Sequence, residues 1–141
     1  MEEYRIENLN IAHNRDMLLR ACTAKIHRAT VTEADLNYVG SITIDEALLE
    51  ASGIRRHQMV NVHNLSNGVS WQTYVIRGNK GSGVVCLNGP PARHFQPGDK
   101  VIIFAEAYVE PAEMDGLDLT VVIVEDDVNK VFRREVNKIT E

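Results

Sequence analysis

The sequence predicts a mainly β fold, a small closed barrel with short helices. Three observations predict it. Short segments of alternating apolar and polar residues recur along the chain, rich in β-branched side chains. Turn chemistry separates them at short intervals, as at Asn67-Gly68, Gly78-Asn79-Lys80-Gly81-Ser82-Gly83 and Gln96-Pro97-Gly98-Asp99. Helix signals are few and short. Many short strands with little helix satisfy their edges by closing into a barrel.

Residues 1–16 are polar, with Asn8, Asn10, His13, Asn14, Arg15 and Asp16, and are expected to form an extension. Met17 to Ile26 carries Met17, Leu18, Leu19, Ala21, Cys22 and Ile26 and reads as a mostly buried strand. Alternation and β-branching continue it from Arg28 to Thr32. Thr32-Glu33-Ala34-Asp35-Leu36 reads as a short helical turn capped by Thr32. Ser41 to Ile44 is a strand. Asp45 then caps a helix over Glu46 to Ser52, and Gly53 fits its C′ position.

Met59 to Leu65 alternates Val60, Val62 and Leu65 with Asn61, His63 and Asn64. Asn67-Gly68 predicts a two-residue hairpin turn, after which Val69 to Arg77 pairs back. Val84 to Leu87 is a buried strand, ended by Asn88-Gly89-Pro90-Pro91-Ala92. Lys100 to Ala105 and Leu119 to Val124 are further strands, with a loop over residues 111–118 between them. The charged tail from Glu125 is expected to end in a short helix. The domain reading is an extension over 1–16, a barrel over 17–129 and a charged tail over 130–141.

A chain of 141 residues suits one domain and buries about two thirds of its unfolded surface. The net charge of −5 argues against nonspecific nucleic-acid binding, which needs a basic face. No apolar run is long enough to span a bilayer, and the first residues lack a basic-then-apolar leader pattern. The expected location is cytoplasmic. Cys22 and Cys86 are too few and too far apart for a disulfide framework or a CxxC metal site.

Familiar catalytic patterns are missing from the residues themselves. His13, His27, His57, His63 and His94 show no metal spacing, so no metal site is assigned. Glu125-Asp126-Asp127 reads as a solvated charge cluster rather than paired acid and base. The loop from Gly78 to Gly83 lacks phosphate-loop spacing, and Ser41 lies in no GxSxG elbow. What remains is the bond between Gly40 and Ser41. A serine hydroxyl can attack the carbonyl carbon before it. The ester can eliminate, and the serine can end as a pyruvoyl group. That carbonyl forms Schiff bases with amines and acts as an electron sink.

The residues around that bond carry a family resemblance. Lys25-Ile26-His27-Arg28 and the run Thr32-Glu33-Ala34-Asp35-Leu36-Asn37-Tyr38-Val39-Gly40-Ser41-Ile42-Thr43-Ile44-Asp45 resemble the self-processing segment of the bacterial aspartate 1-decarboxylases. Asn67-Gly68, Thr73-Tyr74, Gly81-Ser82-Gly83, Leu87-Asn88-Gly89 and Pro97-Gly98-Asp99-Lys100-Val101-Ile102-Ile103 follow in the family's order. The resemblance covers residues 17–129. It implies a double-psi β-barrel, a homotetramer with active sites between subunits, and a small-molecule amino-acid substrate. It implies a proenzyme cleaved between Gly40 and Ser41, with a pyruvoyl group formed from Ser41. The default reaction is L-aspartate to β-alanine and carbon dioxide, a step of pantothenate biosynthesis.

The same resemblance assigns roles. Thr73 steadies the oxyanion or ester during processing and contacts substrate. Tyr74 returns a proton to the carbanionic carbon. Lys25 stands near the substrate carboxylate. His27, Tyr38 and Asn88 orient the pyruvoyl group and support cleavage. Gly40 tolerates backbone strain at the bond to be cut. Gly89, Pro90 and Pro91 occupy the stretch whose backbone amides bind substrate.

Two positions depart from the family pattern. An arginine that pairs with a substrate carboxylate is replaced by Ser70, which lacks the bidentate charged fork. Alanines after Asn-Gly are replaced by Pro90 and Pro91, which have no N–H to donate. Trp71 beside Ser70 either makes the pocket more apolar or turns away with strand alternation. Two other readings therefore stay open: a decarboxylase of the same type acting on a different amino acid, and a non-catalytic barrel that binds without reacting.

Overall fold

In a computed structural model that describes residues 17–37 and 40–137, a single sheet carries most of the chain. The extension over residues 1–16, Tyr38 and the end of the tail lie outside the described residues. The strands are β1 (Leu19–Thr30), β2 (Glu33–Asp35), β3 (Ser41–Asp45), β4 (Met59–Asn64), β5 (Ser70–Gly78), β6 (Val85–Asn88), β7 (Lys100–Val109), β8 (Thr120–Val124) and β9 (Phe132–Val136). One α-helix, α1 (Glu46–Ser52), follows β3. The spatial order is β2-β6-β3-β5-β4-β7-β1-β8-β9. Pairs β1–β8, β2–β6 and β3–β5 are parallel, and the other neighbours are antiparallel.

Connectivity forces this sheet to curl. β1 and β2 stand seventh and first in the order, yet only Val31 and Thr32 separate them in sequence. Six interstrand spacings in a flat sheet would be roughly 29 Å. The three virtual bonds from Thr30 to Glu33 reach at most about 11 Å. Curling brings alternate side chains onto a common inner face. Ile26, Ile42, Ile44, Val60, Val62, Val75, Leu87, Ile103 and Val122 are fully enclosed there. The mainly β class with short helices is the one expected, and the curl is what a barrel requires.

α1 forms where its caps dictate. The Asp45 carboxylate accepts from the Ala47 N–H at 2.8 Å, and Gly53, at φ +80°, returns its N–H to the Leu49 carbonyl at 2.8 Å. Asp45 also accepts from the backbone N–H groups of Gly81 at 2.9 Å and Gly83 at 2.8 Å. One carboxylate thus starts the helix and holds the glycine-rich loop. Asn129, also buried, bridges that loop to the end of β1. Its side chain accepts from the Thr30 N–H at 2.7 Å and donates to the carbonyls of Thr30 and Gly83, both at 2.8 Å.

Two local expectations are corrected. The helical turn expected after Thr32 is strand β2, paired in parallel with β6. The Thr32 hydroxyl exchanges hydrogen bonds with the backbone of Val85 instead of capping a helix. The turn at Asn67-Gly68 is longer than two residues: Asn64 and Val69 close a loop over residues 65–68, with Asn64 and Asn67 side chains accepting from Ser66 and Val69 N–H groups. In the tail, Phe132–Val136 form β9, an edge strand antiparallel to β8, and the tail's end, where a helix is expected, lies outside the described residues.

Candidate active site

Alternation along β3 turns Ile42 and Ile44 into the core and places Ser41 and Thr43 on the opposite face. Ser41 is nonetheless fully buried, because β6 and β5 flank it. On the β6 side, Ser41 pairs with Asn88 and Thr43 with Cys86. The Asn88 side chain donates from Nδ2 to Ser41 Oγ at 3.0 Å and to Thr43 Oγ1 at 3.1 Å. Its Oδ1 accepts from the Cys86 thiol at 3.1 Å. Both ends of this buried carboxamide are therefore engaged.

On the β5 side, Ile42 is level with Val75 in a parallel pair. Ser41 and Tyr74 each precede that pair by one residue on their strands. Thr73 is buried and faces inward with Val60 and Val75, whereas Tyr74 is half-buried on the Ser41 face. Ser41, Tyr74 and Asn88 thus lie on three adjacent strands, with a direct contact between Ser41 and Asn88.

Gly40 abuts the carbonyl of Asn88 and the ring of Pro90. A Cβ added there would lie 3.7 Å from the first and 3.8 Å from the second, which is ordinary contact. Gly89 is different: at φ +76° it requires glycine, and its buried N–H donates to the Asp35 carbonyl at 2.7 Å. Pro90 and Pro91 open a 3-10 helix over Pro90–Arg93. The stretch from Gly89 to Pro91 thus presents shape rather than free N–H donors.

Lys25 and His27 lie on β1, four strands from β3 along the sheet. They pair with Phe104 and Ile102 on β7, and with Val121 and Ile123 on β8. Burial, then the positive charges of Lys25 and Arg28, hold the His27 pKa below its ordinary value. Ser70 opens β5 on the same face as Tyr74, and its Oγ is 2.8 Å from His63 Nδ1. The His63 ring stacks on Phe104 with centroids 5.0 Å apart and planes 7° from parallel. Thr43, Cys86 and His63 were not singled out as site residues from sequence. The i, i+2 spacing of Ser41 with Thr43, and of Cys86 with Asn88, is the signal that places the first two on the site face.

The fold and site define a β-sheet protein built around one enclosed serine hydroxyl that an asparagine holds. A family model described as aspartate decarboxylase matches residues 17–131, from before β1 to the residue preceding β9. The chain is 53% identical over 117 residues to the aspartate 1-decarboxylase of Caldicellulosiruptor saccharolyticus, covering 83% of this chain and 91% of that protein. It is 54% identical over 117 residues to that of Carboxydothermus hydrogenoformans, with the same coverage. It is 52% identical over 118 residues to that of Lactiplantibacillus plantarum, covering 84% of this chain and 90% of the relative. The chain belongs to the aspartate decarboxylase family, whose members are lyases.

Proposed function

We propose that this chain is a self-processing decarboxylase that converts L-aspartate to β-alanine and carbon dioxide. The observation that carries the reading is the enclosed Ser41 hydroxyl, held by Asn88, in a chain of this family. Maturation starts when Ser41 Oγ attacks the Gly40 carbonyl carbon. The C–N bond breaks as the hydroxyl proton passes to the Ser41 nitrogen. Loss of the Ser41 α-hydrogen then expels the Gly40 carboxylate. Water replaces the nitrogen, which leaves as ammonia. The residues present fit a pyruvoyl group, since its carbonyl derives from Ser41 atoms already enclosed between β5 and β6.

That group supplies an electrophilic carbonyl that accepts the substrate amine and withdraws electrons as carbon dioxide leaves. Thr73 and Asn88 assist self-cleavage, and Asn88 keeps the site oxygen oriented. Tyr74, half-buried on the Ser41 face, delivers the proton that replaces carbon dioxide. Tyr38 belongs to the processing set. Lys25 and His27 bind and orient substrate from β1, and Gly89, Pro90 and Pro91 shape the pocket wall. The active unit is a homotetramer with sites completed between subunits. The barrel over 17–129 forms the catalytic unit, and the enzyme works in the cytoplasm. No described helix is long and apolar enough to cross a membrane.

Carbon-dioxide release by processed protein tests the reading. Release from L-aspartate supports it; release from no amino acid would leave a binding module. Ser70 favours a second reading, a decarboxylase of another amino acid. Its hydroxyl is tied to His63 and carries no charge for a second substrate carboxylate. Preferential release from an amino acid lacking that carboxylate supports the second reading.

A further inference from the structure

The Asn88 carboxamide can occupy its place in two orientations that differ in the hydrogen bond Ser41 receives. With Nδ2 toward β3, Asn88 donates to both Ser41 Oγ and Thr43 Oγ1. The Ser41 proton is then free to leave toward the peptide nitrogen. With the amide reversed, Oδ1 would accept that proton and hold it away. Sterically the two ends are nearly equal, so the surrounding partners decide between them. Cys86 is the partner at the far end: its Sγ–H donates to Asn88 Oδ1 at 3.1 Å. Burial, reinforced by the Glu33 carboxylate, pushes the Cys86 thiol above its ordinary pKa, which keeps it a donor at neutral pH. Thr43 adds a second hydroxyl on the Nδ2 side, half-buried next to Ser41.

We propose that Cys86 and Thr43 are positioning residues for self-cleavage: together they fix the Asn88 amide so that it donates to Ser41 Oγ. This rests on the self-processing reading above. In the step concerned, the Ser41 oxygen bonds to the Gly40 carbonyl carbon, the C–N bond breaks, and the hydroxyl proton moves to the Ser41 nitrogen. No redox partner is involved.

The test measures the rate of chain scission in freshly purified full-length precursor by intact mass, with melting temperature as a control. Cys86→Ala should slow scission about fivefold or more, and Cys86→Ser, which restores a donor, should return it to within about twofold of the parent. Thr43→Val should slow scission and Thr43→Ser should not, a second pair that serves if Cys86→Ala fails to fold. Equal rates for Cys86→Ala and the parent, or equal slowing by Cys86→Ala and Cys86→Ser, would overturn the positioning role. A parent chain that never splits after Gly40 would instead overturn the self-processing reading.

Discussion

Single side chains decide most of the chemistry. Gly40 has room for a methyl group, so Gly40→Ala should leave precursor stability within about 0.5 kcal/mol of the parent by urea unfolding. Any loss of scission in that variant then belongs to the reaction and not to the fold. Ser70→Arg supplies a guanidinium on the face of Tyr74. It should raise kcat/KM for L-aspartate about tenfold, as a charge-assisted contact warrants. An unchanged value would separate Ser70 from substrate recognition. His27 has a lowered pKa in the folded chain, so the unfolded chain binds the extra proton more readily. Its contribution is therefore present above the ordinary histidine pKa and is lost as pH falls below it. Melting temperature measured from neutral to mildly acidic pH should fall less steeply for His27→Gln than for the parent.

At the scale of elements, Asp45 joins three pieces of backbone through one carboxylate. Asp45→Ala removes the α1 cap and the two loop contacts together, and should cost about 3 kcal/mol in urea unfolding. A loss under about 1 kcal/mol would mean that the loop finds other partners. Legibility in the sequence follows the range of the deciding contact. α1 was readable because Asp45 and Gly53 act on their own helix. β2 was not, because Thr32 finds its partner in Val85, far along the chain. β9 hides for a related reason: Arg133, Arg134 and Glu135 carry no apolar alternation, and pairing with β8 alone makes them a strand. The hairpin loop was lengthened by Asn64, whose amide nitrogen reaches His94 and Asp99.

For the whole molecule, the two-residue link between β1 and β2 turns a list of strands into a curled sheet, in which β3 pairs with β5 and β6. That placement encloses Ser41. Composition and periodicity gave no sign of it, since a glycine followed by a serine is a common pair. The ordered motifs singled out Ser41, Thr73, Tyr74 and Asn88, and the register pairs Ser41 with Asn88. The proposed homotetramer belongs to this scale. Light scattering on purified protein should give about four times the 15.8 kDa chain mass. A monomeric yet active protein would overturn that assembly. Intact mass of the purified protein tests the central claim most directly. The account predicts two fragments, residues 1–40 and 41–141, the longer lacking a free amino terminus; a persistent single chain of 141 residues would contradict it.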